Sequence, residues 1–378
     1  MAVRVRRAIH ARPELGTREF ATAALVRRTL LAMGLRPRFC CNKTGVVATL
    51  ANGTGKTVAL RADLDALPLL EKTGLKFSSV NKGVMHACGH DMHAACLVGA
   101  AQALFALRGL WKGTVVFLFQ PSEEMAPGGA KAMIREGVFP ASADAVFGLH
   151  VNPEHACGVV GLKSGPDYAG VVDFDIVVKG RGAHAAMPGN AIDPIVCASS
   201  MIVALAGLAA QGSRTYGPCV VTVGKMCAGT KNNIIPDEAY FGGTIRAMSD
   251  AHLGLLMRRV SGLVQSIARS HKARAHVSFD KSYPPGYNDP SATRRGFRAL
   301  SQALGKGRVV WRGAATMLAE DFSYFQRKAP GVYTHLGVRP AHKKNVPGIH
   351  TSEFSPDERA ILIGIAVHAA LAIDILHK

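Results

Sequence analysis

The chain has 378 residues, 48% of them hydrophobic and 19% charged, which is enough apolar material for a full core in two domains and excludes disorder as its default state. Its 45 Lys and Arg against 26 Asp and Glu give a formal charge of +19, which suits an anionic partner; the basic residues are dispersed, aromatics are only 6%, and no zinc-finger or helix-turn-helix spacing occurs, which argues against nucleic acid. The opening MAVRVRRAIHARPELG lacks the apolar stretch of a secretory signal, and the eight cysteines show no paired spacing beyond adjacent Cys40 and Cys41, so a reducing, cytoplasmic setting is expected.

In chain order, 17–33 reads as an amphipathic helix with Thr17 as N-cap and Gly34 as its stop. Strands are expected at 46–50 and 57–63, joined by the turn sequence ANGTGK. An Ala-rich helix at 91–107, a strand at 114–119, a helix starting over 129–135 and a strand at 143–149 follow. Strands alternating with helices imply an α/β unit with a mostly parallel sheet, whose reactive groups sit on loops beyond the strand ends. Asp63, Asp65, Glu123, Glu124 and His150 occupy such ends.

A second region starts near VVDFDIVVKGRGAH: an alternating strand at 171–178, a helix at 191–208, strands at 220–224 and 240–247, and a helix at 250–270. Two helices on an antiparallel sheet make a smaller α+β domain, inserted as 171–282 between the segments 1–170 and 283–378 of the first. SYPPGYNDP marks the return. Ser355, Pro356 and Glu358 read as cap, first-turn proline and capping-box partner of the last helix. That helix, AILIGIAVHAALAIDIL at 360–376, is 17 residues long and interrupted by His368 and Asp374, which favours a buried globular helix over a membrane span.

The densest chemical signal is MHACGHDMH at 85–93, in which Cys88 and His90 offer a thiolate and an imidazole from one turn. Alone, the run favours metal ligation over a structural thiol beside solvated histidines. The doublet Glu123-Glu124 in QPSEEMAPGG allows one carboxylate to hold a cation while its neighbour accepts a proton from water. With His150 and the late His350, Cys88, His90 and Glu124 supply enough N, O and S ligands for two divalent ions.

These motifs, with GLHV at 148–151, GRGAHAAMPGNAIDP at 180–194, NNIIPDEA at 232–239 and EDFSYF at 320–325, occur in order over nearly the whole chain and resemble the M20 metallopeptidase family. The nearest branch is the amidohydrolases that include aminoacylases, hippurate hydrolases and auxin-conjugate hydrolases. RADLDALP at 61–68 resembles the segment that elsewhere in the family carries His-x-Asp, with Asp63 at the His position. The resemblance implies metal-dependent cleavage of N-acyl amino acids by two divalent ions (zinc, manganese, cobalt or nickel). It makes Cys88 the bridging ligand, His90, Glu124, His150 and His350 the others, and Glu123 the general base. It also implies a homodimer in which the inserted domain is a lid and dimerisation module, with His184 reaching the active site of the partner subunit to stabilise the oxyanion and Asn233 and Arg246 holding the substrate's amide or carboxylate. Met92, the LAEDF form at 318–322 and the IHTS form at 349–352 depart from common family patterns, so no single acyl group is chosen. A dipeptidase, or a deacetylase of the N-acetyl-diaminopimelate type, would share every metal residue; a non-catalytic metal-dependent binding protein would be expected to have lost the base or a ligand.

Overall fold

The structure, a computed structural model, describes residues 1–377, with side chains outside 209–216. It divides into two compact units, one of Met1–Gly165, Tyr287–Ala314 and Asp321–Lys378, the other of Pro166–Gly286 and Ala315–Glu320.

The larger unit is built on an eight-stranded mixed sheet. Its order is Arg38–Cys40, Gly45–Asn52, Gly113–Gln120, Thr57–Asp63, Ala145–Ala156, Gly331–Arg339, Val160–Leu162 and Val309–Trp311. The four central strands run parallel: Thr57–Asp63 lies between Gly113–Gln120 and Ala145–Ala156, and Gly331–Arg339 continues beyond. Near-continuous apolar runs such as Val115 to Phe119 suit strands covered on both faces. From Thr57–Asp63 the chain moves to one neighbour and then crosses to the other. The loops leaving three adjacent carboxyl ends therefore diverge around one crevice, where open α/β sheets bind ligands.

Helices Ala2–Ala11, Phe20–Ala32, His90–Ala106 and Ala360–Leu376 share the apolar core of this unit. The last two pack closely because glycines face each other's helix: a Cβ on Gly99 would lie 2.3 Å from Ile365 Cδ1, and one on Gly364 2.4 Å from Cys96 Sγ. Ala360–Leu376 is thus a core helix, and no helix among the described residues is long and apolar enough to cross a membrane.

The smaller unit has a four-stranded antiparallel sheet in the order Cys219–Ala228, Glu238–Ala247, Gly170–Lys179, Arg274–Tyr283. Helices Pro194–Tyr216 and Asp250–Ser270 close a separate core over its apolar face. Asp193 Oδ1 caps the first helix by accepting the N–H of Ile195 at 2.8 Å, with Pro194 opening the first turn. The mixed, largely parallel sheet with a smaller α+β unit is the architecture the sequence indicates.

Local expectations fail at three helix starts: the helix expected at 191–208 is Pro194–Tyr216, opened by the local cap Asp193, and the other two shift through a long-range competitor. The second helix begins at Phe20, not Thr17, because Thr17 has a φ of 68° and gives its N–H to Ser122 Oγ at 2.8 Å. The last helix begins at Ala360, and Ser355 does not cap it; the Glu358 carboxylate accepts from Arg6 Nη1 at 3.0 Å and from Arg7. The helix Ala2–Ala11 and the strand Arg274–Tyr283 escape sequence reading. In the first, charged Arg6 and His10 are buried among apolar positions, and in the second, Ala275, Val277 and Phe279 alternate with Arg, His, Ser and Asp.

Candidate metal centre

The strand Thr57–Asp63 delivers two carboxylates with different tasks. Asp63 is fully buried, accepting from Arg61 Nη1 at 2.7 Å and from His93 Nδ1 at 2.6 Å. Burial opposes its ionisation, but His90, His93 and Arg61 hold its carboxyl well below the usual range. Two residues on, Asp65 accepts the backbone N–H of Glu123 at 3.0 Å on one oxygen and that of Glu124 at 2.9 Å on the other.

The Cys88-Gly89-His90 turn opens the helix His90–Ala106. Gly89 is its left-handed N-cap, with a φ of 83°, and a Cβ there would lie 2.6 Å from Val151 Cγ2. This turn places Cys88 Sγ 3.3 Å from Nε2 of His150, which lies in the strand Ala145–Ala156. His350, with a φ of 61°, gives its N–H to Ala87 O at 2.8 Å and sets Nε2 3.0 Å from Glu124 Oε1.

Ligand atoms of Cys88, His90 and His150 lie within 4.8 Å of one another, and so do those of Cys88, Glu124 and His350; a third group joins His90 to Glu123 and Glu124. Cys88 belongs to the first two. The six expected residues around this cluster are therefore brought together, with Cys88, His90, Glu123 and His150 buried and the His350 side chain 49% exposed.

The donors fit divalent ions. His90 Nδ1 faces Asp65 O at 2.9 Å and His150 Nδ1 faces Val151 O at 2.7 Å, so each ring donates there and turns Nε2 to the cluster, that of His150 towards Cys88 Sγ; the Nε2 of His90 is fully buried without a hydrogen-bond partner among the described residues. Burial disfavours a charge on His90, but Asp63, Asp65 and Glu124 outweigh it and raise its pKa to about 10. Burial and the carboxylates of Glu124, Glu123 and Asp63 push the Cys88 thiol well up. A bound cation reverses both preferences, favouring thiolate and neutral imidazole. Asp63, His90 and His93 also converge, but His93 is committed at both nitrogens, since its Nε2 accepts Val151 N–H at 2.9 Å, and Arg61 already neutralises Asp63. His93 therefore positions rather than coordinates.

In the smaller unit, His184 and Asn233 are neighbours on a short ladder: His184 pairs with Ile234, and Asn233 O accepts Ala185 N–H at 3.1 Å. Both are exposed, and His184 Nδ1 accepts the N–H of Ala186. Arg246 is on another strand, Glu238–Ala247, and donates through Nη1 to Met317 O at 2.8 Å.

Sequence reading gives no role to Asp65, His93 or Asp321. Asp321 accepts from Arg61 Nη2, Gln120 Nε2 and Ala130 N, tying together the strands and helix behind the centre. For Asp65 the available signal is an acidic residue set two positions beyond an apolar strand.

Residues 59–374 match the family model described as peptidase family M20/M25/M40. The chain belongs to this family. It is 38% identical over 380 residues to thermostable carboxypeptidase 2 of Saccharolobus solfataricus, covering 100% of this chain and 95% of that one. It is also 38% identical over 360 residues to N-acetyl-L-cysteine deacetylase of Bacillus subtilis, covering 95% and 84%. The solved YxeP protein of Bacillus subtilis, a dinuclear metal binding peptidase from the M20 family, superimposes with a TM-score of 0.88 at 32% identity, covering 99% and 97%. This M20 protein is a metal-dependent amidohydrolase with a two-ion centre.

Proposed function

We propose that the protein hydrolyses the amide bond of N-acyl amino acids, with Cys88 shared by two ions, His90 and His150 completing one ligand set, and Glu124 and His350 the other. The observation that carries this reading is the pair of ligand clusters meeting at Cys88, with Glu123 in a third that overlaps both through His90 and Glu124. Two divalent ions, when bound, supply Lewis acidity to the carbonyl and lower the pKa of water.

Glu123 accepts the proton of the attacking water and returns it to the departing amine, because an unprotonated amine leaves slowly. Its backbone is fixed by Asp65, so the carboxylate approaches from a set position. His184 reaches the centre of the partner subunit and donates to the oxygen that gains charge, while Asn233 holds the amide and the Arg246 guanidinium receives the substrate carboxylate in a two-point contact that Lys would not reproduce. The names of the relatives support the class: one is a carboxypeptidase and another deacetylates N-acetyl-L-cysteine.

The smaller unit serves as lid and dimerisation module. In support, the helix Pro194–Tyr216 exposes Val196 and Val203 on one face, and Cys219–Ala228 is an edge strand bearing exposed Met226, surfaces suited to a second copy. A cytoplasmic setting is supported by eight free cysteines.

Protein loaded with manganese, cobalt, nickel or zinc, assayed on N-acetyl amino acids, N-benzoyl amino acids and dipeptides, should turn over acyl amino acids fastest. Activity confined to dipeptides would replace this reading with a dipeptidase, and none on any amide under any metal would replace it with a binding protein.

A further inference from the structure

The loop carrying Glu123 is held by a second carboxylate besides Asp65. Glu19 lies just before the helix Phe20–Ala32 and is fully buried. Its Oε1 accepts the backbone N–H of Ser122 at 2.7 Å and lies 3.3 Å from Ser122 Oγ. Three consecutive amides, those of Ser122, Glu123 and Glu124, are therefore gripped by two buried side chains, the first by Glu19 and the other two by Asp65. Ser122 needs the grip: its φ is 56°, a left-handed conformation that L side chains rarely adopt. Thr17, itself left-handed, adds its N–H to Ser122 Oγ. A loop in this conformation relaxes unless the surroundings over-determine it.

We propose that Glu19 is a positioning residue for the catalytic loop, fixing Ser122 in its left-handed turn so that Glu123 is aimed at the attacking water. The proposal rests on the reading of Glu123 as base. What Glu19 contributes is an acceptor at a given reach rather than a charge. Its second oxygen, Oε2, is buried without a hydrogen-bond partner among the described residues, and burial followed by the charge of Asp65 raises its pKa to about 7, so a neutral side chain of the same length can replace it.

The test is a reach series in the full-length protein loaded with manganese: Glu19→Gln, Glu19→Asp and Glu19→Leu, each measured for kcat, KM, manganese content and melting midpoint on an N-acetyl amino acid. Gln keeps the acceptor at the same reach and should hold kcat within about threefold of the parent. Asp withdraws the oxygen by one methylene and Leu removes it. Each should lower kcat by about a hundredfold, the penalty of a misplacement of order 1 Å, while KM and manganese content stay near the parent's. An Asp variant as active as the parent beside an impaired Gln variant would show that charge is what matters and overturn the proposal. Parental kcat in the Leu variant would overturn it too, as would loss of manganese in parallel with kcat in the Asp variant. Should the Leu variant fail to fold, the Gln and Asp pair decides alone. Glu123→Gln is run alongside: if it hydrolyses normally, the base assignment fails, an outcome distinct from any pattern within the Glu19 series.

Discussion

At the scale of single residues, the centre separates groups that look alike in sequence by what each atom already holds. His90 and His93 stand three positions apart in one motif, yet the first has a bare, buried Nε2 and the second spends both nitrogens on Asp63 and the Val151 amide. No spacing rule distinguishes them, because the decisive partners come from strands 30 and 58 positions away. Glu123 and Glu124 are legible as a doublet, whereas the Asp65 carboxylate that aims both is not, since it acts on their main chain. Because that grip is on the backbone, Glu123→Gln should leave the loop in place. Turnover is expected to fall by about a hundredfold or more, the usual contribution of a general base, with metal content unchanged by elemental analysis. Near-parental turnover would remove Glu123 from the mechanism. Cys88→Ala should instead lower the ion count itself, and full occupancy in that variant would exclude the shared thiolate.

Among the elements, those whose ends are set locally are the ones the sequence locates. The strand Thr57–Asp63 and the helices Gly129–Arg135 and Asp250–Ser270 lie where their patterns put them, the last with its Ser249 side chain accepting the His252 N–H. The helices after Thr17 and Ser355 start late because those residues, or Glu358 beside them, are drawn into contacts with distant partners. The turn before His90–Ala106 is set from both sides. Its left-handed Gly89 answers a local requirement, and its missing side chain makes room for Val151 on the strand that carries His150. Gly89→Ala should therefore cost at least about 1–2 kcal/mol from backbone strain alone. Because the clash pushes on the His150 strand, metal affinity should weaken as well. Denaturant midpoints and metal titrations check the two effects, and an unchanged pair would show that this turn adapts freely.

Across the molecule, the N-terminal helix inserts charge into the core of the larger unit. Arg6 Nε and His10 Nδ1 both reach Asp91 Oδ2 at 2.9 Å, and His10 Nε2 meets Glu71 at 3.1 Å, all essentially out of solvent. Burial disfavours the charged His10 ring, but Asp91 and Glu71 overcome it and raise its pKa from 6.5 to about 9. A raised folded pKa means that the stabilisation is complete below 6.5 and is lost as pH climbs through about 9. The melting midpoint should decline across that interval in the parent and be nearly flat there in His10→Gln; matching profiles would show that the His10 ionisation is not linked to folding. This network was invisible in the sequence because its members lie on separate segments, Glu71 and Asp91 far from the first helix and Glu358, which also meets Arg6, near the other end of the chain.

The placement of Cys88 in both ligand clusters also decides how the proposed centre fails. Altering His150 or His350 damages one cluster and spares the other, so a protein holding a single ion remains reachable by either route. Altering the sulfur undoes both at once. Its position is thus the single point of failure in the assembly, and a lineage drifting from two ions towards one would have to start at a ligand that serves one cluster alone.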